Sequence, residues 1–380
     1  MNSVVIGAIA DNCNPNTNTL VAPSEEFPAI YSCTGHINFE GITSNNHLRT
    51  PDLVLPGGDY ENNKLCGEQS LNVAIDNEKY SAEPGVGTSY STPIAANMAA
   101  KLIKKYPSLR MQSIKALMIN HAIIPNYGKL MDGLLEFDIR QIVGYGIPNE
   151  KRMLSSSRDD ITFILEESIK VGTLRTFNLS IPEYLNSSLR QNQLLNVSAT
   201  LCFKFKPMPH NQLAYCPFHL SFALGKNLPI EDSELNPEFD ENGDQKVDAK
   251  GNLKFRKEQT GYNGNSSKNI QLSSKGWADD YHYRNKMSSN VQKINFNISK
   301  GETIEANQNT FKIAVFAAFQ KLLSKSDLAL LGDVHVDFSL VVSIKQNAHR
   351  TETLNSLYDE IALKNEMVAL GDIVLEGDLQ

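Results

Sequence analysis

Hydrophobic and polar positions follow two different patterns along this 380-residue chain. In the first 150 residues, short apolar runs such as SVVIGAIA (3–10) and PDLVLPGG (51–58) are separated by loops rich in Gly, Pro and Asn. Apolar positions then recur at helical spacing, in one helix from Ser91 to Tyr106 and a second from Ser108 to His121. Short strands alternating with helices predict an α/β domain with a parallel sheet over residues 1–155.

From about residue 158 the pattern changes to a series of strand-like segments, several with the period-two alternation of apolar and polar residues that is typical of half-buried strands. Strands that follow one another without helices predict an antiparallel, β-sandwich-like domain over residues 156–350. The predicted strands are ITFILEES, TLRTFNLSIP, LLNVSATLCFKF, FHLSFAL, VQKINFNIS, NTFKIAVFAAF and DVHVDFSLVVSI. A polar, acidic insertion (229–268) interrupts them, and the apolar spacing after residue 350 predicts a helical tail over 351–380. FAAFQKLL is compatible with either strand or helix.

Composition limits the classes of function that this chain can have. Hydrophobic residues make up 41% of the chain, which is enough for a sizeable core, and the net charge of −7 argues against nucleic acid or an anionic membrane as a partner. No apolar run approaches the roughly 20 residues that span a bilayer. The five cysteines are scattered and odd in number, without a CxxC spacing, so neither zinc nor a disulfide framework is indicated. With no convincing signal peptide, we expect reduced thiols in a cytoplasmic protein.

One stretch, Gly87–Pro93, is typical of an exposed nucleophile. Ser89 follows a flexible glycine at the start of the first helix, whose N-terminus would offer backbone N–H groups and a positive dipole end to an anion forming beside it. Pro93 occupies the first helical turn, where its missing N–H costs nothing. The run IAANMAAKLI (94–103) is apolar nearly all round, which predicts that the helix is buried. The simpler alternative is that Ser89 only caps a helix in an unrelated α/β protein.

The pattern G-T-S-x-S-x-P-x-x-A, read from Gly87 to Ala96, resembles the nucleophile signature of the subtilisin-like serine proteases. The flanking segments resemble the same family in the order that the family requires. SVVIGAIADN resembles its core strand after the oxyanion-hole loop, YSCTG (31–35) its Phe-Ser-Ser-x-Gly turn, and PDLVLPG its Pro-Asp-Leu-x-Ala-Pro-Gly strand; VGYGIPN (143–149) resembles its closing Gly-x-Gly turn. The departures are Asn97, where Ala or Gly is usual, and Tyr31, where Phe is usual. The resemblance covers about residues 1–150 and implies that Ser89 is the catalytic serine.

The resemblance also implies an aspartate and a histidine before the serine, in Asp-Ser/Thr-Gly and His-Gly-Thr motifs, and an oxyanion-hole asparagine. None of these motifs occurs in this sequence. Only His36 and His47 precede Ser89, and both are in loop-like settings that suit surface residues. We therefore expect the chain to contain the C-terminal portion of the protease domain and to be inactive alone, because a serine hydroxyl without a base is a weak nucleophile.

Two other clusters suggest binding sites, but each has a simpler explanation. Asp240, Asn242 and Asp244 begin like a calcium loop, but the glycine and glutamate that such a loop requires are replaced by Gln245 and Gly251. The aromatic and acidic residues around Trp277 favour a loop anchored on the sandwich over a binding site. We expect no metal and no cofactor.

These observations favour a serine endopeptidase that acts on a protein or peptide substrate, with the missing N-terminal half as a candidate partner in trans. The alternative is a non-catalytic β-sandwich module that binds a partner and carries a truncated protease scaffold. A third reading is a split reading frame whose first half is encoded separately.

Overall fold

The structure is a computed structural model, and it describes residues 3–10, 26–33, 50–61, 64–67, 71–76, 79–127, 139–180, 195–211, 215–225, 233–234, 240–241, 246, 290–298, 310–319, 323–346 and 368–370. The chain divides into two compact units. The α/β unit comprises Ser3–Ser108 and His121–Leu154, and the β unit comprises Leu109–Asn120 and the described part of Ser155–Gln380.

The elements before Ser155 alternate strands and helices. They are β1 (Ile6–Ile9), β2 (Leu53–Pro56), β3 (Asp59–Glu61), β4 (Lys64–Cys66), β5 (Leu71–Asp76), β6 (Lys79–Pro84), α1 (Thr88–Lys105), α2 (Met111–Asn120), β7 (Ala122–Ile123), α3 (Arg140–Val143), β8 (Ile147–Pro148) and α4 (Glu150–Leu154). The chain is thus of mixed α/β character, as the pattern predicts.

Strands dominate after Ser155. The elements are β9 (Asp160–Lys170), β10 (Thr173–Ser180), β11 (Leu195–Phe203), β12 (Phe218–Gly225), β13 (Ser233–Glu234), β14 (Val291–Ile298), β15 (Thr310–Phe319), α5 (Lys325–Leu331), β16 (His335–Gln346) and β17 (Val368–Ala369). The seven predicted strands coincide with β9–β12 and β14–β16. Of FAAFQKLL, the part through Phe319 belongs to strand β15.

The α/β unit is built on a parallel pair of strands, β1 and β2, in which Ile6 lies opposite Leu53. Both strands are buried along most of their length, which explains why they read as continuous apolar runs. A small core surrounds them and contains Ile9, Val54, Tyr127 and Val143. Three antiparallel pairs, β3–β4, β5–β6 and β7–β8, complete the described strands of this unit.

Helix α1 buries one narrow stripe rather than its whole circumference. Its buried residues are Ser91, Ala95 and Leu102, whereas Ala96 and Ala100 are exposed. The prediction of a helix buried on all sides is therefore wrong for this structure. The apolar composition was a poor guide because alanine, which fills much of this run, is compatible with both buried and exposed helix positions.

The β unit contains two antiparallel sheets. A five-stranded sheet has the order β14-β11-β16-β9-β17, and a four-stranded sheet has the order β12-β15-β10-β13. The longest pairing joins β16 to β9, from His335 opposite Lys170 to Lys345 opposite Asp160. Both sheets contribute to one hydrophobic core, whose largest fully buried side chains are Phe163, Phe203, Phe222 and Phe338.

Helix α2 lies in the β unit, although its sequence falls within the predicted 1–155 domain. Most of the predicted polar insertion (229–268) and most of the predicted helical tail (351–380) lie outside the described residues. Within the tail, Val368 and Ala369 form strand β17, which pairs with β9. No helix among the described residues has the length and apolar character needed to cross a bilayer.

Candidate active site

Ser89 is an exposed residue in the first turn of α1. Gly87 is the N-cap, with φ 148° and ψ 157°, a conformation that favours glycine, and its carbonyl accepts a 3.0 Å hydrogen bond from the N–H of Tyr90. Glycine has no side chain to cap the helix, and no acidic residue lies in the first turn. The first N–H groups of a helix have no intrahelical partners, and α1 itself supplies neither a capping side chain nor a carboxylate to those beside Ser89.

The start of α1 is fixed to the end of strand β2. The Ser91 hydroxyl is fully buried and donates to the carbonyls of Leu55 and Pro56, at 2.9 and 3.1 Å. The N–H of Gly87 donates to the carbonyl of Gly57, at 2.9 Å. These bonds hold the residues on both sides of Ser89 and leave its own side chain at the surface.

Glycines allow the close approach that these bonds require. A Cβ on Gly57 would lie 2.7 Å from Ala8 Cβ and 2.8 Å from Ser91 Oγ, closer than carbon and oxygen atoms pack. A Cβ on Gly85 would overlap the ring of Tyr90. The strand end and the turn before the helix therefore depend on missing side chains.

Tyr31 stabilises the same region from a third segment. Its hydroxyl donates to the carbonyls of Gly57 and Gly58, at 2.6 and 2.7 Å. From the sequence, Tyr31 was noted only because the subtilisin-like family usually has phenylalanine at this position. A tyrosine in place of a phenylalanine adds one donor, and here that donor reaches the turn on which α1 is fixed. Asn97, the other departure, is exposed on α1.

Among the described residues of the α/β unit, no hydrogen bond joins a histidine to the Ser89 side chain. His36 and His47 lie outside those residues. His121 is 1% exposed, and its carbonyl accepts a hydrogen bond from the N–H of Asn149. The carboxylate of Asp52 accepts a 2.9 Å hydrogen bond from the N–H of Val5, which is a structural role at the start of β1.

No group of three or more His, Cys, Asp or Glu side chains in the described part of the chain is arranged to hold a metal ion. Asp240 is described, but Asn242 and Asp244 lie outside the described residues, as do Trp277 and its neighbours.

Comparison with known proteins identifies the first part of the chain. Residues 2–146 match the model of the subtilase family, Peptidase_S8. This segment is therefore subtilisin-like, and the resemblance seen in the residues is confirmed.

A curated relative extends the similarity without adding an activity. It is the uncharacterized protein y4bN of Sinorhizobium fredii (strain NBRC 101917 / NGR234), which is 25% identical over 187 residues. The alignment covers 46% of this chain and 42% of the relative, so the chain spans less than half the length of that relative.

Proposed function

We propose that this chain carries the nucleophile of a subtilisin-like serine endopeptidase, and that Ser89 is the nucleophile. One observation carries the proposal: within a segment that matches the subtilase family, Ser89 is exposed in the first turn of a helix whose start is fixed to a buried strand. Ser89 is not the cap of this helix, because the N-cap is Gly87 and no side-chain cap bond is formed there.

The chemistry that follows is acyl transfer to the serine. Ser89 Oγ attacks the scissile carbonyl of a peptide while a base removes the hydroxyl proton, and the peptide nitrogen leaves with a proton. Water then hydrolyses the acyl-enzyme and regenerates the hydroxyl. The positive end of α1 stabilises the negative charge that forms on the carbonyl oxygen.

We further propose that residues 1–380 alone hydrolyse no peptide. The reaction needs a base, and the sequence contains neither of the motifs in which this family holds its aspartate and histidine. His121 is too deeply buried to serve a surface serine. The reaction therefore requires a segment, outside residues 1–380, that supplies both motifs to the α/β unit.

Reconstitution with a fluorophosphonate probe tests this proposal. The chain is co-expressed with a subtilase segment that carries Asp-Ser/Thr-Gly and His-Gly-Thr, and the labelled peptide is identified by tandem mass spectrometry. We expect labelling at Ser89, its loss in Ser89→Ala, and its retention in Ser108→Ala, which removes another exposed serine of the same unit. A co-purifying complex that is not labelled, or labelling that survives Ser89→Ala, would overturn the assignment.

For the β unit we propose a β-sandwich architecture. The proposal is supported by the single hydrophobic core to which both sheets contribute. Gln292 of β14 also donates from its side chain to the carbonyl of Leu220 on β12, at 2.5 Å, which links one sheet to the other.

A further inference from the structure

Helix α2 lies within the subtilase-like segment of the sequence, but in the structure it is part of the β unit. It lies inside the subtilase match, 2–146, and follows α1 after the short connection Tyr106–Arg110. Its packing partners, however, are β11, β16 and β14 of the five-stranded sheet. The chain enters the β unit at Leu109 and leaves it after Asn120.

Every residue from Gln112 to Asn120 is buried, including four polar ones. An ordinary surface helix would bury an apolar stripe and leave its polar residues in water. Buried polar groups without partners destabilise a fold, because they lose their hydrogen bonds to water and gain none in return. The polar residues of α2 therefore need partners, and strands of the sheet supply them for Ser113 and Asn120.

Asn120, the last residue of α2, is bonded through each part of its amide. Its Nδ2 donates to Ser343 Oγ on β16 at 2.9 Å. Its Oδ1 accepts from Ser198 Oγ at 3.2 Å and from Thr200 Oγ1 at 3.0 Å, both on β11. Ser198 Oγ also lies 3.2 Å from the Asn120 carbonyl. Three hydroxyls from two neighbouring strands thus face one helix end.

Opposite charges face the two ends of α2. At the N-terminal end, Glu166 of β9 accepts hydrogen bonds from the N–H of Arg110, at 2.7 Å, and from the Ser113 hydroxyl. At the C-terminal end, Lys293 of β14 is 9% exposed and donates to the carbonyl of Ile119 at 2.9 Å. A carboxylate at the positive end and an ammonium at the negative end both match the helix dipole.

We infer that the face of the five-stranded sheet formed by β9, β11, β14 and β16 is a charge-matched receptor for α2. Its occupant is this helix of the same chain, and its role is to fix the segment that follows the nucleophile helix. The hydrogen bonds to Asn120 set the position of the helix, and Glu166 and Lys293 set its direction. This inference concerns docking of α2 and does not depend on Ser89 being a nucleophile.

Hydrogen exchange measured by mass spectrometry on the full chain tests the inference. Lys293→Met removes the ammonium and keeps the stem, and Glu166→Gln is a milder change at a partly exposed position. The control is Lys170→Met, which removes a lysine of the same sheet that pairs with Asp333 at the surface. We expect amide exchange across α2 to accelerate at least tenfold in the first two variants.

The same experiment shows whether the effect is specific to α2. In Glu166→Gln, peptides from β10 and β15 should keep wild-type exchange, and Lys170→Met should leave α2 unchanged. Unchanged exchange of α2 in both test variants would overturn the inference. Equal acceleration across α2, β10 and β15 in Glu166→Gln would overturn it too, because the residue would then support the whole unit rather than the docked helix.

Discussion

Gly57 is a position at which a single methyl group should disturb the candidate active site. In Gly57→Ala, the new Cβ would lie 2.7 Å from Ala8 Cβ, 2.8 Å from Ser91 Oγ and 2.9 Å from Tyr31 Oη. Ala8 and Ser91 are both fully buried, so neither can move aside freely. The backbone of Gly57 has no positive φ, so the cost comes from packing and not from backbone strain.

The magnitude follows from two effects. Overpacking by one carbon costs about 1–3 kcal/mol in a close-packed site. If the Ser91 hydroxyl is displaced from the carbonyls of Leu55 and Pro56, those buried acceptors add a further cost of about 1–3 kcal/mol. We expect a loss of about 2–4 kcal/mol in the stability of the α/β unit. Opening of the start of α1 should then be about 30-fold more frequent, or more.

Hydrogen exchange of peptides covering β2 and the first turns of α1 measures this loss directly. It is preferable to a melting temperature, because a chain of two units need not unfold in one step. Gly332→Ala is the matched control: Gly332 has φ 60° and open space around its position, so alanine there costs backbone strain alone. It ends α5 in the β unit and should leave α1 exchange unchanged. Exchange at α1 within twofold of wild type in Gly57→Ala would refute the reasoning.

Two further predictions concern ionisable groups of the β unit. Several hydrogen bonds, of which the 3.0 Å bond from His210 has the largest effect, hold the pKa of Asp327 below its ordinary value. The ionised Asp327 carboxylate therefore stabilises the fold above about pH 4, and this stabilisation is lost as the pH falls further. Asp327→Asn should therefore destabilise α5 at neutral pH, and the difference in the free energy of unfolding between variant and wild type should shrink below about pH 4. Urea unfolding at several pH values checks this. A difference that does not change with pH would contradict it. Burial raises the pKa of Cys216 to about 12, so its thiolate fraction near pH 8 is only about 10⁻⁴. Iodoacetamide should modify the exposed Cys33 well before Cys216, as peptide mapping can show, and equal rates would contradict the burial argument.

The strands of the β unit could be predicted from the sequence because their signal is local. Period-two alternation marks which residues face a core, and it needs no knowledge of the partner strand. It does not reveal which strands pair. Leu195 on β11 pairs with Ile298 and Gln346, far away in sequence, and nothing in the local pattern indicates that order.

The membership of α2 could not be predicted for the same reason. Its polar residues look like the solvent face of a helix, and their partners are far away along the chain. Ser113 bonds to Ser339 across 226 residues, and Asn120 bonds to Ser343 across 223 residues. Only the three-dimensional structure shows that the polar residues of α2 face the sheet and not the solvent.

The candidate site was partly predictable. Ser89 is marked by a motif whose residues are close in sequence, and the helix start follows from Gly87 and Pro93. The residues that fix this helix start were not recognised, because Gly57, Tyr31 and Ser91 meet only when the strand and the helix are assembled. The amount of α1 that is exposed also could not be read from its alanine-rich composition.

The most direct test of the central claim is fluorophosphonate labelling of residues 1–380 alone. The claim is that Ser89 is held in place for nucleophilic attack but has no base in this chain to activate it. The experiment compares the purified chain with its Ser89→Ala variant, with an active serine protease as a positive control for the probe. We expect that the probe labels the purified chain no more than it labels the Ser89→Ala variant. Stoichiometric labelling of Ser89 in the chain alone would contradict it.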